Sequence, residues 1–253
     1  MRVLPLFTLS LFAATAFAAD ECPPPYSYCG YTGPAQWPNI AITGKENECA
    51  GTRQSPIDLP SLPLTPGPLI EVKYVSGKAT ILNTGHDIEV TPAENKSTLT
   101  IGKDVYTLVK FHFHVRSEHR IHGQDQPAEI HFVHSRVEGD KTYTAVIGVL
   151  LRAGAEYPGL KPVFARLPKK VCEKFTDVAI NFSELLPAKL GHCYTYTGSL
   201  TTPPCSQNVT WYVLAAPRTI LDSDLRSLTA LGSNARPIQV NQPSLPVAFV
   251  RPQ

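Results

Sequence analysis

Three histidines stand in two short runs whose side-chain pattern could bring them to one point. Residues 110–114 read Lys-Phe-His-Phe-His, and residues 129–134 read Glu-Ile-His-Phe-Val-His. Because side chains alternate between the two faces of a strand, His112 and His114 share one face and the two phenylalanines the other. A hairpin-like return between the runs would bring His131 over the first pair.

Zinc binding is the chemistry that these residues suit. Zinc prefers tetrahedral nitrogen or sulfur ligands, and a catalytic site keeps one position open for water. A lone strand histidine is more often a satisfied or solvent-facing polar residue, so each histidine alone predicts little. A His-x-His pair joined by a third histidine, with Glu129 and Val133 on the face of that third histidine, favours metal binding. The two runs therefore predict a zinc site of three histidines beside a carboxylate.

Strands must position this site. Seven runs are rich in β-branched and aromatic residues and predict strands at 80–82, 88–91, 99–101, 106–115, 128–137, 143–152 and 209–215. Residues 146–151 are apolar on both faces, as expected of a central strand. Two short helices are predicted. One covers 160–171, and the other begins at Asp222 or Ser223 and ends at Gly232.

Composition describes an ordinary globular protein. The 253 residues are enough for one large domain or two small ones, and 43% are hydrophobic and 17% charged. A formal net charge of +2 gives no reason to expect nucleic acid or an acidic surface as a partner. The 24 prolines argue against a helical bundle. No repeat or break demands a second domain, and the proline-rich residues 60–68 are expected to form an extended surface loop.

The N-terminus has the pattern of a secretory signal peptide. A basic start and a mostly apolar stretch precede an Ala-Phe-Ala triplet that fits a small-x-small cleavage site. The apolar stretch is too short to span a membrane comfortably. Cleavage after Ala18 or Ala19 would make residues 1–18 the signal peptide and 19–253 the mature domain. No other segment predicts a membrane span or a lipid anchor, so we expect a secreted, extracellular protein.

Export changes the interpretation of the six cysteines. An even number in an exported chain favours disulfides, and the lack of a Cys-x-x-Cys motif disfavours a thiolate zinc site. Six cysteines allow about fifteen pairings, among which the sequence alone does not choose. Sequons at Asn95, Asn181 and Asn208 are candidate glycosylation sites, and Asn95, in a polar turn between two strand-like runs, is the best of them.

A second polar cluster, Gly-Ser-Leu-Thr-Thr-Pro-Pro-Cys at 198–205, would by itself be a stiff turn. Together with the histidine runs, however, it completes a set of stretches through which the chain resembles the α-class carbonic anhydrases. The stretches follow the family's order through nearly the whole mature chain. They are Gly33-Pro34 with Trp37; Gln54-Ser55-Pro56-Ile57; Leu82-Asn83-Thr84-Gly85-His86; Phe111-His112-Phe113-His114; Ser117-Glu118-His119; Ala128-Glu129-Ile130-His131; Ala145-Val146-Ile147-Gly148; Tyr196-Thr197-Gly198-Ser199-Leu200-Thr201-Thr202-Pro203-Pro204; Val209-Thr210-Trp211; and Asn234-Ala235-Arg236-Pro237.

This resemblance implies a mainly β, single-domain fold with a few short helices around a large twisted, mostly antiparallel central sheet. It implies one Zn²⁺ per chain in a conical cavity. The implied activity is that of a zinc lyase: reversible hydration of carbon dioxide to bicarbonate and a proton, by attack of zinc-bound hydroxide. The partners would be carbon dioxide, bicarbonate and water, without nucleic acid or a stable membrane anchor. The oligomeric state stays open.

The resemblance also assigns residues by matching position. His112, His114 and His131 match the zinc ligands, and Glu129 matches the carboxylate behind His131. A carboxylate behind a ligating histidine fixes its tautomer and raises its basicity.

Further matches concern the hydroxide, the proton and the substrate. Thr201 matches the residue whose hydroxyl accepts a hydrogen bond from the hydroxide, and Glu118 matches the acceptor that orients Thr201. His86 matches the proton shuttle by position. A histidine with a pKa of about 6.5 can accept and release a proton at neutral pH. The apolar wall where carbon dioxide lies is matched by four residues of this chain, Val133, Val146, Leu200 and Trp211, and Thr202 lies beside them.

Lys110 departs from the family pattern. It stands where the family commonly has a glutamine whose carbonyl accepts from the first zinc histidine, and lysine has no acceptor. We therefore expect His112 to be held differently, with weaker zinc retention or altered activity. The stretch around residues 31–33 is also shorter than the family pattern.

For the cysteines, the resemblance implies a disulfide between Cys49 and Cys205 that pins the threonine loop. Cys22 with Cys29, and Cys172 with Cys193, are then the simplest remaining pairs.

Two other classes are weighed against this hypothesis. His-x-His followed by Glu118 resembles the first motif of cupin metalloenzymes, but Glu118 would then have to bind metal and the second cupin motif is missing. A carbonic-anhydrase-like binding module without activity would typically lack a zinc histidine. The remaining histidines are interpreted as structural or loop residues; they are His119, His122, His134 and His192.

Overall fold

The computed structural model describes residue 22 and residues 24–241 and 244–253. The predicted signal peptide and its cleavage positions lie outside this part of the chain. The described residues form fifteen strands and two short α-helices. The strands are β1 Asp58–Leu59, β2 Leu64–Pro66, β3 Ile70–Lys73, β4 Gly77–Asn83, β5 Ile88–Pro92, β6 Thr98–Ile101, β7 Asp104–Val115, β8 Arg120–Ile121, β9 Ala128–Glu138, β10 Lys141–Ala153, β11 Lys174–Ile180, β12 Cys193–Ser199, β13 Gln207–Leu214, β14 Arg218–Ile220 and β15 Val247–Arg251. The helices are α1 Lys161–Ala165 and α2 Asp222–Thr229.

Thirteen of the described strands form one sheet in the order β11-β4-β5-β7-β9-β10-β13-β12-β15-β2. Strands β3, β6 and β14 attach beside this path, and β1 and β8 form a separate small sheet. Most neighbours are antiparallel, and parallel pairs occur where β10 meets β13 and β14 and where β15 meets β2. The expectation of a mainly β fold around a large, mostly antiparallel sheet is confirmed.

The centre of the sheet is buried on both faces. Phe111, Phe113 and Phe132 point from β7 and β9 into the main hydrophobic core. Val146, on β10, points to the opposite face, where a second apolar cluster lies around Trp211. Burial of a large apolar side chain contributes roughly 1.5–3 kcal/mol, so the three phenylalanines strongly stabilise the strands that carry the histidines.

Two predicted elements are wrong in extent. The helix expected at 160–171 is only α1, Lys161–Ala165, preceded by a 3-10 turn. Pro168 ends it early, because the residue before a proline avoids the helical region. The loop expected at 60–68 contains the exposed strand β2, which pairs in parallel with β15. A proline in it is tolerated because this strand lies at the edge of the sheet.

The disulfides correct part of the predicted pairing. Cys49 pairs with Cys205, as the resemblance implies. The other pairs are wrong, because Cys22 is bonded to Cys172, while Cys29 is an exposed free thiol and Cys193 a buried one. Nearness in sequence was a poor guide, since Cys193 begins β12 with its side chain inside the main core. The two described α-helices have five and eight residues, too few to span a bilayer.

His134 is a buried polar residue on the face opposite His131. Its Nε2 lies 2.6 Å from the Tyr74 hydroxyl, and its Nδ1 lies 3.2 Å from the carbonyl oxygen of Ala145. Burial lowers the pKa of His134 from its ordinary 6.5 to about 4. The folded protein therefore keeps this imidazole neutral in a pH range where the unfolded chain binds a proton.

We predict that His134 makes stability fall as the pH drops from about 6.5 to about 4. Protons bind the unfolded state preferentially in that window, so the free energy of unfolding decreases there, by about 3 kcal/mol in total. Urea unfolding of the metal-free protein across this range should show a shallower pH slope for His134→Gln. Exposed His192→Gln should keep the original slope, and an unchanged slope for His134→Gln would contradict the prediction.

Candidate metal centre

The pairing of β7 with β9 brings the three histidines together. His112 lies opposite His131, and His114 lies opposite Glu129, in an antiparallel register. One side-chain nitrogen from each of the three histidines lies within 4.8 Å of the others, and all three residues are buried. The predicted juxtaposition is therefore present in the fold.

Hydrogen bonds on the outer side of two imidazoles determine which nitrogens face inward. His114 Nδ1 bonds to the carbonyl oxygen of Asn234 at 2.9 Å, and its Nε2 is buried without a partner among the described residues. His131 Nε2 lies 2.9 Å from Glu129 Oε1, which leaves Nδ1 for the centre.

These donors fit zinc. Three nitrogens each about 2.0–2.1 Å from one ion would lie about 3.3 Å apart, inside the observed limit. The orphaned Nε2 of His114 supports this assignment, because a buried polar atom without a partner is costly.

Glu129 forms hydrogen bonds to several groups around the site. Its Oε1 lies 2.8 Å from His119 Nδ1 as well as contacting His131, and its Oε2 accepts from the backbone amides of Glu118 and His119 at 2.9 and 2.8 Å. Burial alone would raise the Glu129 pKa, but the two histidines hold it well below its ordinary range. Gly148 makes room for this carboxylate, since a Cβ there would lie 2.8 Å from Glu129 Oε1.

His119, interpreted from sequence as merely structural, belongs to the same network. Its Nε2 lies 2.7 Å from the Tyr196 hydroxyl, which in turn donates to Ser55 Oγ at 2.8 Å. A chain of polar contacts thus runs from His131 through Glu129 to the strand that leads into the threonine loop. The position of His119 directly after Glu118 in a family stretch was the signal that could have identified it.

Glu118 lies beneath the histidines with both oxygens buried. Oε1 accepts from the backbone amide of Arg236 at 2.8 Å and is 3.4 Å from His114 Nδ1, while Oε2 is 3.9 Å from His131 Nδ1. Burial raises the pKa of Glu118 to about 7, opposed by His131, by the Thr201 hydroxyl and by the Arg236 amide. Thr201 is buried beside it, so the two residues are placed to interact.

An apolar wall lies next to the three histidines. The Trp211 ring is centred 4.8 Å from the His131 ring, and its Nε1 donates to the carbonyl oxygen of Ser199 at 3.0 Å. Val133 and Val146 belong to the same apolar cluster, with Leu200 packed against it.

The threonine loop that continues from Leu200 is fixed at its far end. Thr202, half-buried, accepts from the backbone amide of Cys205 at 2.8 Å through its carbonyl oxygen. The Cys49–Cys205 disulfide ties that point to the segment before the Gln54-Ser55 stretch.

Lys110 does not supply an acceptor to His112. Its Nζ lies 2.5 Å from Glu89 Oε2, and Glu89 stands directly opposite His112 in the pairing of β5 with β7. His112 Nδ1 is buried without a hydrogen-bond partner among the described residues. This histidine therefore lacks the outer hydrogen bond that His114 and His131 both have.

His86 lies in the loop between β4 and β5. It is half-buried, and its ring stacks on Tyr26 with centroids 4.6 Å apart. Burial lowers the pKa of His86, and the charge of Asp87 opposes that effect.

Comparisons with known proteins agree with this geometry. The family model described as eukaryotic-type carbonic anhydrase matches residues 32–244. A carbonic anhydrase of Neisseria gonorrhoeae is 36% identical over 94% of this chain and 94% of its own length. The alpha-carbonic anhydrase of Photobacterium profundum superposes with a TM-score of 0.76 at 31% identity, covering 89% of this chain and 100% of its own. That of Thermovibrio ammonificans, solved with the inhibitor sulfanilamide, gives 0.77 at 31% identity over 89% and 98%.

We predict that Lys110→Gln strengthens metal retention. A glutamine carbonyl at this position would accept from His112 Nδ1, and such outer hydrogen bonds are worth about 10–100-fold in metal affinity. Competition with a chelator should show slower zinc loss from Lys110→Gln than from the parent. Lys110→Met removes the charge without adding an acceptor and should show no gain. Equal zinc affinity in Lys110→Gln and the parent would refute the idea.

We also predict that Gly148→Ala weakens metal retention. The added methyl would displace Glu129 Oε1, so His131 would lose its orienting partner and zinc affinity should fall by about tenfold or more. Zinc dissociation and urea unfolding measured together separate this loss from a general loss of stability. Gly191→Ala is the matched control, because a Cβ there meets no atom within 4 Å. Wild-type zinc retention in Gly148→Ala would show that the carboxylate can shift at no cost.

Proposed function

Because the chain belongs to the eukaryotic-type carbonic anhydrase family, whose members are zinc-dependent lyases that hydrate carbon dioxide, we propose that it uses its three-histidine site for that reaction. One Zn²⁺ would be held by His112, His114 and His131. The observation that carries the proposal is the set of three buried histidine nitrogens within 4.8 Å of one another, next to an apolar wall.

When bound, zinc supplies Lewis acidity that lowers the pKa of water and makes hydroxide available at neutral pH. The chain's own groups prepare the site for it. Asn234 and Glu129 fix the tautomers of His114 and His131, so each presents a lone pair to the centre. All three ligands would be neutral, because burial lowers their pKa values. Neutral ligands leave the positive charge of the metal intact.

Thr201 and Glu118 would aim the attack on carbon dioxide. If Thr201 donates its only proton to Glu118, its oxygen can act only as an acceptor toward the attacking hydroxide. Glu118 Oε2 supports this role, because it is buried and has no other hydrogen-bond partner among the described residues. Fixing the direction of attack lowers the entropic part of the barrier.

The apolar wall and His86 would serve the substrate and the proton. Carbon dioxide is apolar and would lie against Val133, Val146, Leu200 and Trp211, with Thr202 at the edge. Each turnover leaves a proton to be exported, and His86 would carry it from the cavity to buffer. Its half-buried position in the loop between β4 and β5 supports this role, because the ring is in part accessible to solvent.

The alternatives receive less support. A cupin-type centre needs Glu118 as a ligand, yet the metal-competent groups within the described ranges combine the three histidines, or His119 and His131 with Glu129. A module without activity would lack part of the set, whereas the histidines, Thr201 and Glu118 are all present.

We further propose that the protein is exported as a single domain, residues 19–253, after removal of residues 1–18. Two disulfides support an oxidising destination. Asn95 would be the glycosylated sequon, because it lies exposed in a turn. Asn181 Oδ1 instead accepts from two serines and Asn208 Oδ1 from Arg53.

The proposal is tested by stopped-flow carbon dioxide hydration on the purified mature protein, before and after zinc removal and zinc re-addition. We expect fast hydration that is lost with zinc and restored by it. Folded protein that contains zinc but gives no zinc-dependent rate would reject the proposed activity.

We predict that Thr201→Ala lowers kcat/KM for hydration by about 10²-fold, a loss typical of a mispositioned reacting group. Thr201→Ser keeps the hydroxyl and should retain most of the activity. Zinc content, measured in both variants, should match that of the parent. Comparable rates for the alanine and serine variants would contradict the orienting role of the hydroxyl.

A further inference from the structure

The N-terminal segment of the described chain lies against His86 with three aromatic rings, which we call the N-terminal aromatic cluster: Tyr26, Tyr28 and Trp37. The Tyr26 ring stacks on His86 at 4.6 Å with an interplanar angle of 29°, and Tyr28 meets His86 edge-on at 5.9 Å. Both tyrosines also pack on Trp37 at 5.4 Å. The orientation of the imidazole is thus set by a segment that is not part of the sheet.

Little else in the backbone holds this segment in place. Within the described residues, the backbone hydrogen bonds of residues 24–36 all end inside residues 24–39. At its far end the segment is fixed by Trp37, which is fully buried and donates through Nε1 to the carbonyl oxygens of Ser27 and Thr32. At its near end the described attachment is the disulfide from Cys22 to Cys172.

The other half of this disulfide is joined to the loop that carries His86. The Cys172 amide donates to the carbonyl oxygen of Asn83 at 2.8 Å, and the Asn83 side-chain oxygen accepts from Gly85 N at 2.9 Å. Cys22 Sγ lies 3.6 Å from the carbonyl oxygen of Thr84. Tyr26 is the fourth residue after Cys22, so the bond confines Tyr26 to within about 14 Å of this loop.

We propose that the Cys22–Cys172 disulfide is a positioning element for proton transfer, which holds the N-terminal aromatic cluster against His86. The inference rests on the proposed role of His86 and goes beyond it by identifying what orients that residue. Without the tether, the segment would keep the packing of Tyr26 and Tyr28 on the Trp37 cluster, but its start would no longer be fixed beside the His86 loop, and Tyr26 would leave the His86 ring for part of the time. His86 would then sample many orientations, of which few suit proton transfer.

The contact is tested first without metal, by NMR of the histidine ring protons, with His86 assigned by His86→Gln. Stacking on Tyr26 should shift the His86 signals upfield in the parent. Cys22→Ser/Cys172→Ser and Tyr26→Leu should both move them toward the position of an exposed histidine, whereas Tyr26→Phe should not. Cys29→Ser and Tyr31→Ala are matched controls, because both residues are exposed in the same segment. An unmoved His86 signal in the double serine variant would overturn the proposal.

A second variant covers the case in which the double serine protein does not fold. Four glycines inserted between residues 24 and 25 keep the disulfide but lengthen the tether. The same movement of the His86 signals is expected, and a His86 spectrum identical to that of the parent would overturn the proposal.

The kinetic arm uses the zinc-loaded proteins. Steps up to bicarbonate release set kcat/KM, and proton export after release affects kcat alone. At low buffer concentration, kcat of the double serine variant should fall by roughly threefold to tenfold. This decrease is smaller than the rate contribution of a positioned acid or base, because water also carries protons. kcat/KM should stay within about twofold, and added imidazole should restore kcat. A moved His86 signal with unchanged kcat would overturn the positioning role, whereas no hydration by any form would reject the proposed function instead.

Discussion

The antiparallel register of β7 against β9 is the constraint on which the site depends. It sets His112 opposite His131 and His114 opposite Glu129. A slip of one residue would turn every side chain of one strand to the other face. That slip would move Phe111 or Phe132 out of the main core, where both are fully buried. The burial of the phenylalanines on one face of the sheet therefore fixes the register that aligns the histidines on the other face.

Glu129 connects this register to the rest of the site. Two of its four hydrogen bonds orient the rings of His131 and His119. The other two bind the backbone amides of Glu118 and His119 and so fix the turn that carries Glu118. A buried carboxylate is tolerable only when it is satisfied in this way. The turn after β7 is thus placed by a side chain of β9, and Gly148 on β10 leaves the space that this carboxylate occupies.

Two features lie beside this centre, at residues other than the three histidines. The Lys110–Glu89 ion pair lies beside His112, whose Nδ1 has no hydrogen-bond partner among the described residues, and the Cys22–Cys172 disulfide joins the start of the N-terminal segment to the residues next to the His86 loop. Neither feature involves the side chains of the three histidines directly. In our proposals both act on the orientation of an imidazole, where a small rotation changes how well a lone pair or a proton is directed.

The sequence by itself determined the strand alternation, the grouping of the three histidines and the family, because all of these depend on residue types at fixed spacing. Its errors lay where distant segments meet. Cys22 pairs with Cys172 across 150 positions, and helix α1 ends at Ala165 although its apolar pattern continues. Only the tertiary structure decided that His119 shares Glu129 with His131, since a hydrogen bond between two strands and a turn has no local signature. Spacing along the chain predicts which face of a strand a side chain occupies. The hydrogen-bond partner of that side chain depends on which distant segments pack against the strand.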